Sequence, residues 1–321
     1  MIGLDGLRFL AAFGVLVTHY GPCWYRPLVN VSNILGPFCV KVFFIISGIV
    51  IMQTAQRSTS AGEFLYRRFM RLYPTFLICL LIDTIITVRF VHGFSPLEIA
   101  QNLTMLPWLL RATQVSGVFW TLSNEWCFYL MIAALLPLLR RYLGEIILVW
   151  LVLTSALEQF HLMNAPAEIL VNGLYAPFFA IGMLIDWYRN GDITPRVACG
   201  FTALMLLTFV NNPLAMLEFI VAASIAFMAT RVQLGPPLGK IALQGGAMSY
   251  ALYLIANPIF TLIYFALAPF HADMTTVVIA STAFSLATAQ IIDNRLEPPV
   301  RAALKILFAG LWRAPAKRLD G

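Results

Sequence analysis

Charged residues are scarce in this chain. Asp, Glu, Lys and Arg together make up 11% of its 321 residues, whereas hydrophobic residues make up 60%. Soluble globular domains carry about 25% charged residues, so the composition excludes an ordinary soluble protein. At about 20 residues per membrane span, the chain has room for about ten spans joined by short loops. We therefore predict an all-α, polytopic integral membrane protein.

Cysteine and histidine are also rare, with five and four residues. The cysteines form no CxxC pair and the histidines are widely dispersed, so no metal site is predicted. Cys23 and Cys39 flank the first outer loop, where a disulfide is conceivable. The chain lacks a phosphate-cradling glycine loop and a basic surface interleaved with aromatics, so nucleotide cradles and nucleic-acid partners are not expected.

Long apolar runs define the candidate membrane spans. Their predicted limits are 6–22, 36–53, 74–92, 117–138, 144–160, 168–186, 196–211, 213–230, 247–267 and 274–293. The pair at 196–230 is the least distinct, because only Asn211, Asn212 and Pro213 interrupt it.

The excess of basic residues, a net charge of +6, is distributed unevenly over the predicted loops. Outer loops carry only Arg26 and Arg111, with Arg89 near an outer end, whereas most of the other cations fall in inner loops and the C-terminal tail. This bias places both termini in the cytoplasm. We expect one transmembrane domain over residues 1–321, with an uncleaved first helix, a basic tail at about 294–321 and no fused soluble domain.

Arg8 and His19 lie eleven residues apart in the first apolar run. On an α-helix this spacing turns both side chains nearly the same way, about 16 Å apart along the axis. Ionisable residues inside membrane helices usually face a protein interior or cavity and mark a functional path. The alternative is that Arg8 extends to the surface and His19 lies at the far interface.

Two further segments place charge near or inside the membrane. Arg68 and Arg71 share a helix face at the predicted cytoplasmic surface, where they suit either phosphate groups or anionic lipid head groups. Glu125 interrupts the apolar fourth span and needs a proton or a partner there. By depth, we expect it to lie within reach of His19, where a His–Glu pair would make the imidazole a better base.

The pair Ser47-Gly48 lies in the middle of the second span, where small residues allow close helix packing or line a site. Asp83 in the third span and Glu218 in the eighth are candidate buried acids, but no supporting pattern surrounds them. The segment 249–254, which reads SYALYL, and the segment around Glu297-Pro298-Pro299 by themselves indicate only an interfacial tyrosine belt and the exit of the last span.

Taken together and in this order, these segments resemble the membrane-bound acyltransferase 3 family over essentially the whole chain. The matching elements are the Arg8–His19 spacing, FFxxSG ending at Ser47-Gly48, RxxR followed by Tyr73-Pro74, WxLxxExxFY from Trp120 to Tyr129, the SYxLYL element containing Tyr253, and Glu297-Pro298.

The resemblance implies a function for each group. His19 would be the catalytic base or a transient acyl carrier, supported by Arg8, with Glu125 assisting. Arg68, Arg71 and Tyr73 would bind acyl-coenzyme A, the expected co-substrate, with acetyl the default acyl group. Other site-lining residues are expected to be Ser47, Trp120, Tyr129 and Tyr253.

Two departures from the family pattern stand out. Relatives often carry His shortly after the SYxLYL element, where this chain has Ala256 and Asn257. Many also carry an acidic or polar residue before the Phe pair, where this chain has Lys41.

The expected function is O-acyl transfer to a surface or exported polysaccharide, or to its lipid-linked precursor, at a bacterial inner membrane. Membrane lipids and polysaccharide-synthesis machinery are the other expected partners. The rival hypotheses are a transporter or flippase that uses Arg, His and Glu as a relay, and a non-catalytic assembly partner.

Overall fold

A computed structural model describes residues 1–159 and 165–309, and over these residues the chain is helical with no β-strand. The helices are α1 (Ile2–Trp24), α2 (Leu28–Arg57), α3 (Ala61–Phe90), α4 (Pro96–Asn102), α5 (Trp120–Gln159), α6 (Ala165–Val171), α7 (Ala176–Arg189), α8 (Pro195–Leu207), α9 (Pro213–Ala229), α10 (Pro236–Leu267), α11 (Met274–Ile291) and α12 (Glu297–Ala309).

Eight segments in the described part of the chain are long and apolar enough to cross a membrane. Helix α5 contains two of them, separated by non-helical backbone at Tyr142 (φ −126°, ψ 34°). Two shorter apolar helices, α8 and α9, occupy residues 196–230, where the predicted spans are least distinct. The all-α polytopic fold is confirmed. The end of the predicted fifth span and His161 lie outside the described residues.

Two predicted span starts, at 74 and at 247, lie inside longer helices. Helix α3 begins at Ala61, where the Ser60 side chain accepts the backbone N–H of Glu63, and it continues through Pro74. Neighbouring helices make an internal proline tolerable inside a membrane protein. Helix α10 begins at Pro236 rather than 247.

The predicted exit after the tenth span is also replaced by continued helix. A π-helical turn over Ile292–Leu296 joins α11 to α12. Pro298 and Pro299 fall in the first turn of α12. Proline is tolerated there, because the N–H groups of a first turn have no acceptor within the α-helix that they begin. Residues 310–321 of the predicted basic tail lie outside the described part of the chain.

Helix α1 packs between α2 and α10. A Cβ on Gly14 would meet the Sγ of Cys39, and one on Gly36 would meet Thr18, which fixes the antiparallel register of α1 and α2. Cys39 is buried in this contact, Cys23 is exposed, and both are free thiols, so the conceivable disulfide is not formed.

The segment between α3 and α5 folds back towards the membrane interior. The Tyr73 hydroxyl donates to the carbonyl of Leu103, and Phe119 packs on Phe76 with ring centroids 5.4 Å apart. Phe76 lies fourteen residues, about 21 Å, before the end of α3 at Phe90. Helix α5 therefore starts well below the outer end of α3.

Helices α7 and α9 pack against the side of α2 that faces away from the α1 contact. A Cβ on Gly48 would collide with the backbone carbonyl of Phe179 on α7, so Gly48 serves packing. Lys41 forms an ion pair with Glu218 on α9 and lies 5.7 Å from the Phe178 ring centroid. Lys41, the departure before the Phe pair, thus has a structural partner.

Candidate functional site

A cavity of about 490 Å³ lies among α1, α2, α3, α5, α10 and α12. Seven of the ten predicted site residues line it: Arg8, Ser47, Arg68, Arg71, Glu125, Tyr129 and Tyr253. They come from five helices and from positions up to 245 residues apart. The fold therefore assembles most of the predicted constellation in one place.

The cavity wall is strongly cationic. Six cations line it, and Glu125 is the one carboxylate among the described lining residues: the cations are Arg8, Arg67, Arg68, Arg71, Arg301 and Lys305. Arg8, Arg67 and Arg301 are ion-paired with Asp5, Glu63 and Glu297. The other three cations, Arg68, Arg71 and Lys305, form no ion pair within the described part of the chain, and a cation left unpaired in an apolar surrounding is costly. The wall is therefore suited to an anionic ligand.

Glu125 is held by hydroxyl groups. Its Oε1 accepts a hydrogen bond from Ser47 Oγ at 2.9 Å and another from the Tyr129 hydroxyl. Arg8 interacts electrostatically with Glu125 and lies 3.5 Å from the carboxylate of Asp5, one helical turn away. The carboxylate that the sequence predicts to need a partner thus has two hydroxyl donors and one cation beside it.

Arg68 and its neighbours define the cation-rich end. One Arg68 nitrogen donates to the Thr54 hydroxyl, and the guanidinium lies 5.7 Å from the Tyr129 ring centroid. Arg67 is held by Glu63 on the previous turn. The first half of α3, which carries these cations, is therefore held in place by its Ser60 cap and by the Arg67–Glu63 ion pair.

Three buried donors on the cavity wall have no hydrogen-bond partner: Arg68 Nε, Arg301 Nε and the Tyr250 hydroxyl. Buried polar atoms in folded proteins nearly always have a hydrogen-bond partner, and a buried donor without one costs about 1–3 kcal/mol of stability. A bound ligand with several acceptor oxygens would satisfy them.

The opposite end of the cavity is apolar with a pair of hydroxyl groups. Tyr253 shares a 2.9 Å hydrogen bond with Thr121 and meets the Phe43 ring edge-on at 5.7 Å. Val40 and Leu122 complete this end. A long ligand would therefore place its anionic part against the arginines and its uncharged part here.

His19 does not line the cavity. The register of α1 and α2 sets it level with Leu35, twelve residues and about 18 Å along α2 from Ser47. The predicted His19–Glu125 pair is therefore not formed. The depth of Glu125 in the fourth span was predicted wrongly, because α5 starts far below the outer end of α3.

His19 nevertheless shares the inward face of α1 with Arg8. The residues between them on that face, Ala11, Ala12 and Val15, are at most 4% exposed, whereas His19 is exposed. His19 is therefore accessible at the outer end of this face of α1.

Two further predicted residues lie elsewhere. The Tyr73 hydroxyl donates a hydrogen bond to the carbonyl of Leu103, and its ring stacks on that of Phe69 with centroids 4.2 Å apart. Trp120 packs on Tyr175 with centroids 5.6 Å apart. Neither lines the cavity.

Sequence reasoning missed Arg301 and Lys305, which reach the cavity from α12. One signal was present: Glu297 and Arg301 are spaced i, i+4, and in the structure they form an ion pair. Thr75 on α3 donates to the same buried carboxylate, so α12 is fastened to the cavity wall.

Residues 1–293 match a family model described as an acyltransferase domain. The chain belongs to the acyltransferase 3 family. Together with the membrane spans, this makes it a multi-pass membrane protein of that family. Helix α12 lies beyond the matched residues.

Two bacterial members illustrate the similarity. Acyltransferase MdmB of Streptomyces mycarofaciens is 29% identical over 154 residues, which are 43% of this chain and 40% of that protein. Nodulation protein 10 of Rhizobium leguminosarum bv. viciae is 24% identical over 249 residues, 68% of this chain and 65% of that protein. The matched regions thus span less than two thirds of either relative. No solved structure matches the chain.

Proposed function

We propose that this protein is a membrane O-acyltransferase that moves an acetyl or other short acyl group from acyl-coenzyme A to a sugar hydroxyl. The acceptor is a surface or exported polysaccharide or its lipid-linked precursor. The observation that carries the proposal is the cavity wall of six cations and one carboxylate, found in a chain of the acyltransferase 3 family.

Coenzyme A fits the two ends of the cavity. Its phosphates carry several negative charges and many acceptor oxygens, which guanidinium groups bind in forked geometry. Arg68 and Arg71 are the proposed phosphate ligands, and the buried Nε of Arg68 lacks a partner. The uncharged pantetheine arm would extend past Ser47 to the Tyr253 end, where the lining is apolar.

The proposed chemistry is acyl transfer with His19 as the base. The imidazole takes the proton of the sugar hydroxyl as its oxygen attacks the thioester carbonyl. The carbon–sulfur bond then breaks, and the coenzyme A thiolate leaves and is protonated. In the alternative order His19 accepts the acyl group first and passes it to the sugar.

Arg8 and Glu125 would act from the cavity side. Arg8 offers positive charge on the same helix face as His19, and Glu125 is held ready by Ser47 and Tyr129. The thioester has to pass Ala12 and Val15 to reach His19 from the cavity, so donor access along α1 is part of the proposed mechanism.

The side of the membrane follows from charge. The cavity opens beside Arg67, Arg301 and Lys305, at the end that the excess of Lys and Arg assigns to the cytoplasm, where coenzyme A is available. His19 lies at the other end of α1, towards an extracytoplasmic acceptor. A bacterial inner membrane is the proposed location, since both relatives come from bacteria.

The test uses purified protein in lipid with labelled acetyl-coenzyme A and a polysaccharide acceptor. We expect His19→Ala to lower transfer about 10²- to 10⁴-fold while donor binding stays intact. Arg68→Ala/Arg71→Ala should instead weaken donor binding at least tenfold. His92→Ala and Arg57→Ala/Lys240→Ala are the matched controls, since these residues do not line the cavity.

Wild-type protein that neither binds nor turns over any short acyl-coenzyme A would overturn the proposal. The transporter or flippase and the assembly partner would then be the remaining hypotheses. Transfer that survives in His19→Ala would remove His19 from the chemistry.

A further inference from the structure

A second, smaller cavity of about 360 Å³ branches from the first at its cation-rich mouth. Arg71, Arg301 and Lys305 line both cavities. Asp293 and Glu297 line the smaller one as well. Its volume lies in the range of small-ligand pockets, about 300–1,000 Å³. The two spaces together form a branched site rather than a single channel.

The π-helical turn before α12 builds this side cavity. It offsets α12 from α11 and brings Asp293 to the cavity wall, and π-turns inside helices are frequent at functional sites. Glu297 is only 7% exposed, and its carboxylate accepts hydrogen bonds from Thr75 and Arg301. Arg301 and Lys305 are spaced i, i+4 and therefore share one face of α12.

Tertiary contacts hold α12 in place over the mouth. The Phe308 ring packs edge-on against Phe69 of α3 at 5.3 Å, and Glu297 anchors the other end of the helix. The position of Arg301 and Lys305 is therefore set by packing and not only by the flexible reach of two long side chains.

The side cavity combines two kinds of ligand group. Three cations suit an anion, and Arg301 Nε is buried without a partner. Asp293, which interacts electrostatically with Glu297, Arg71 and Arg301, is an acceptor when ionised. A bare phosphate would be repelled by Asp293, whereas a phosphorylated nucleoside offers both an anion and hydroxyl or amino donors.

We infer that the side cavity binds the 3′-phosphoadenosine end of coenzyme A, with Arg71, Arg301 and Lys305 on the 3′-phosphate and Asp293 on ribose or adenine donors. The inference rests on the proposed function, since it assigns the far end of the same donor. It makes α12, beyond the family match, the element that distinguishes coenzyme A from shorter pantetheine donors.

The test is competition for labelled acetyl-coenzyme A on the full-length protein in lipid. The competitors are coenzyme A, dephospho-coenzyme A, which lacks the 3′-phosphate, and 4′-phosphopantetheine, which lacks the nucleoside. Wild type should prefer coenzyme A over dephospho-coenzyme A by about 10- to 100-fold, because charge-assisted hydrogen bonds are lost with the phosphate.

Two exposed or half-buried positions supply variants that leave the membrane core untouched. Lys305→Gln should reduce that preference about tenfold and leave dephospho-coenzyme A binding unchanged. Asp293→Asn should weaken dephospho-coenzyme A and leave 4′-phosphopantetheine unchanged. Lys240→Gln and Asp192→Asn, outside both cavities, are the matched controls and should behave as wild type.

Equal affinity of the wild type for coenzyme A and dephospho-coenzyme A would overturn the inference and leave the proposed function standing. An equal loss of both ligands in Lys305→Gln would do the same, because it would indicate a general charge effect. No binding of coenzyme A at all would overturn both.

Discussion

Two groups of intramembrane charges lie on either side of α2, and they are arranged in opposite ways. On the α9 side, Lys41 and Glu218 neutralise each other beside a close backbone contact at Gly48. On the cavity side, Arg68, Arg71 and Lys305 form no ion pair among the described residues, and buried donors lack partners. Charge that is paired serves the fold, and charge left in excess is kept for a ligand.

The largest change in stability is expected at the Lys41–Glu218 ion pair. Glu218→Ala should lower the free energy of unfolding by about 3–5 kcal/mol, because Lys41, whose side chain is 17% exposed, would be left largely buried without a counter-charge. The double variant Lys41→Met/Glu218→Leu should recover most of that loss, since apolar pairs of similar volume replace buried ion pairs well. Unfolding in detergent with a reversible denaturant measures both.

A double variant as unstable as Glu218→Ala would show that the pair contributes more than charge cancellation, and the contrast between the two sides would have to be redrawn.

Helix packing should show the next largest effect. Gly48→Ala places a Cβ against the Phe179 carbonyl, and α2 and α7 have to separate, so we expect a loss of about 1–3 kcal/mol. Gly200→Ala is the control, because open space surrounds Gly200 on α8. Thermal unfolding of the two variants side by side tests this. A Gly48→Ala protein as stable as the control would contradict the close contact.

The cavity side should show the smallest change in stability and a clear change in ligand response. Arg68→Gln removes one of six like charges, so unfolding without ligand should shift by less than about 1 kcal/mol. Acetyl-coenzyme A at about 100 times its Kd should stabilise the wild type by about 2.7 kcal/mol. A tenfold weaker affinity would reduce that gain by about 1.4 kcal/mol.

Arg68→Gln that loses stability as strongly as Glu218→Ala would place Arg68 among the structural charges instead.

The sequence predicts the helical membrane fold and most of the cavity, because apolar runs and i, i+3 spacing are local signals. It cannot predict helix register. Depth along the predicted spans therefore pairs Glu125 with His19, although the inward fold of the segment before α5 sets Glu125 beside Ser47.

Lys41 and Arg68 show the same limit. Each is a cation close to an apolar run, and only the packing of α9 against α2 makes one of them paired. Arg301 and Lys305 escaped prediction because Pro298-Pro299 reads as a helix exit, whereas prolines in a first helical turn are compatible with continuation.

The small aliphatic residues on α1 between Arg8 and His19 have a consequence for the energy supply of the cell. Ala11, Ala12 and Val15 are closely packed and offer no side-chain group that could carry a proton. Each proton that leaked across a membrane potential of 100 mV would dissipate about 2.3 kcal/mol. These methyl groups therefore offer protons no side-chain relay along α1, whereas the uncharged thioester of the proposed donor can pass them.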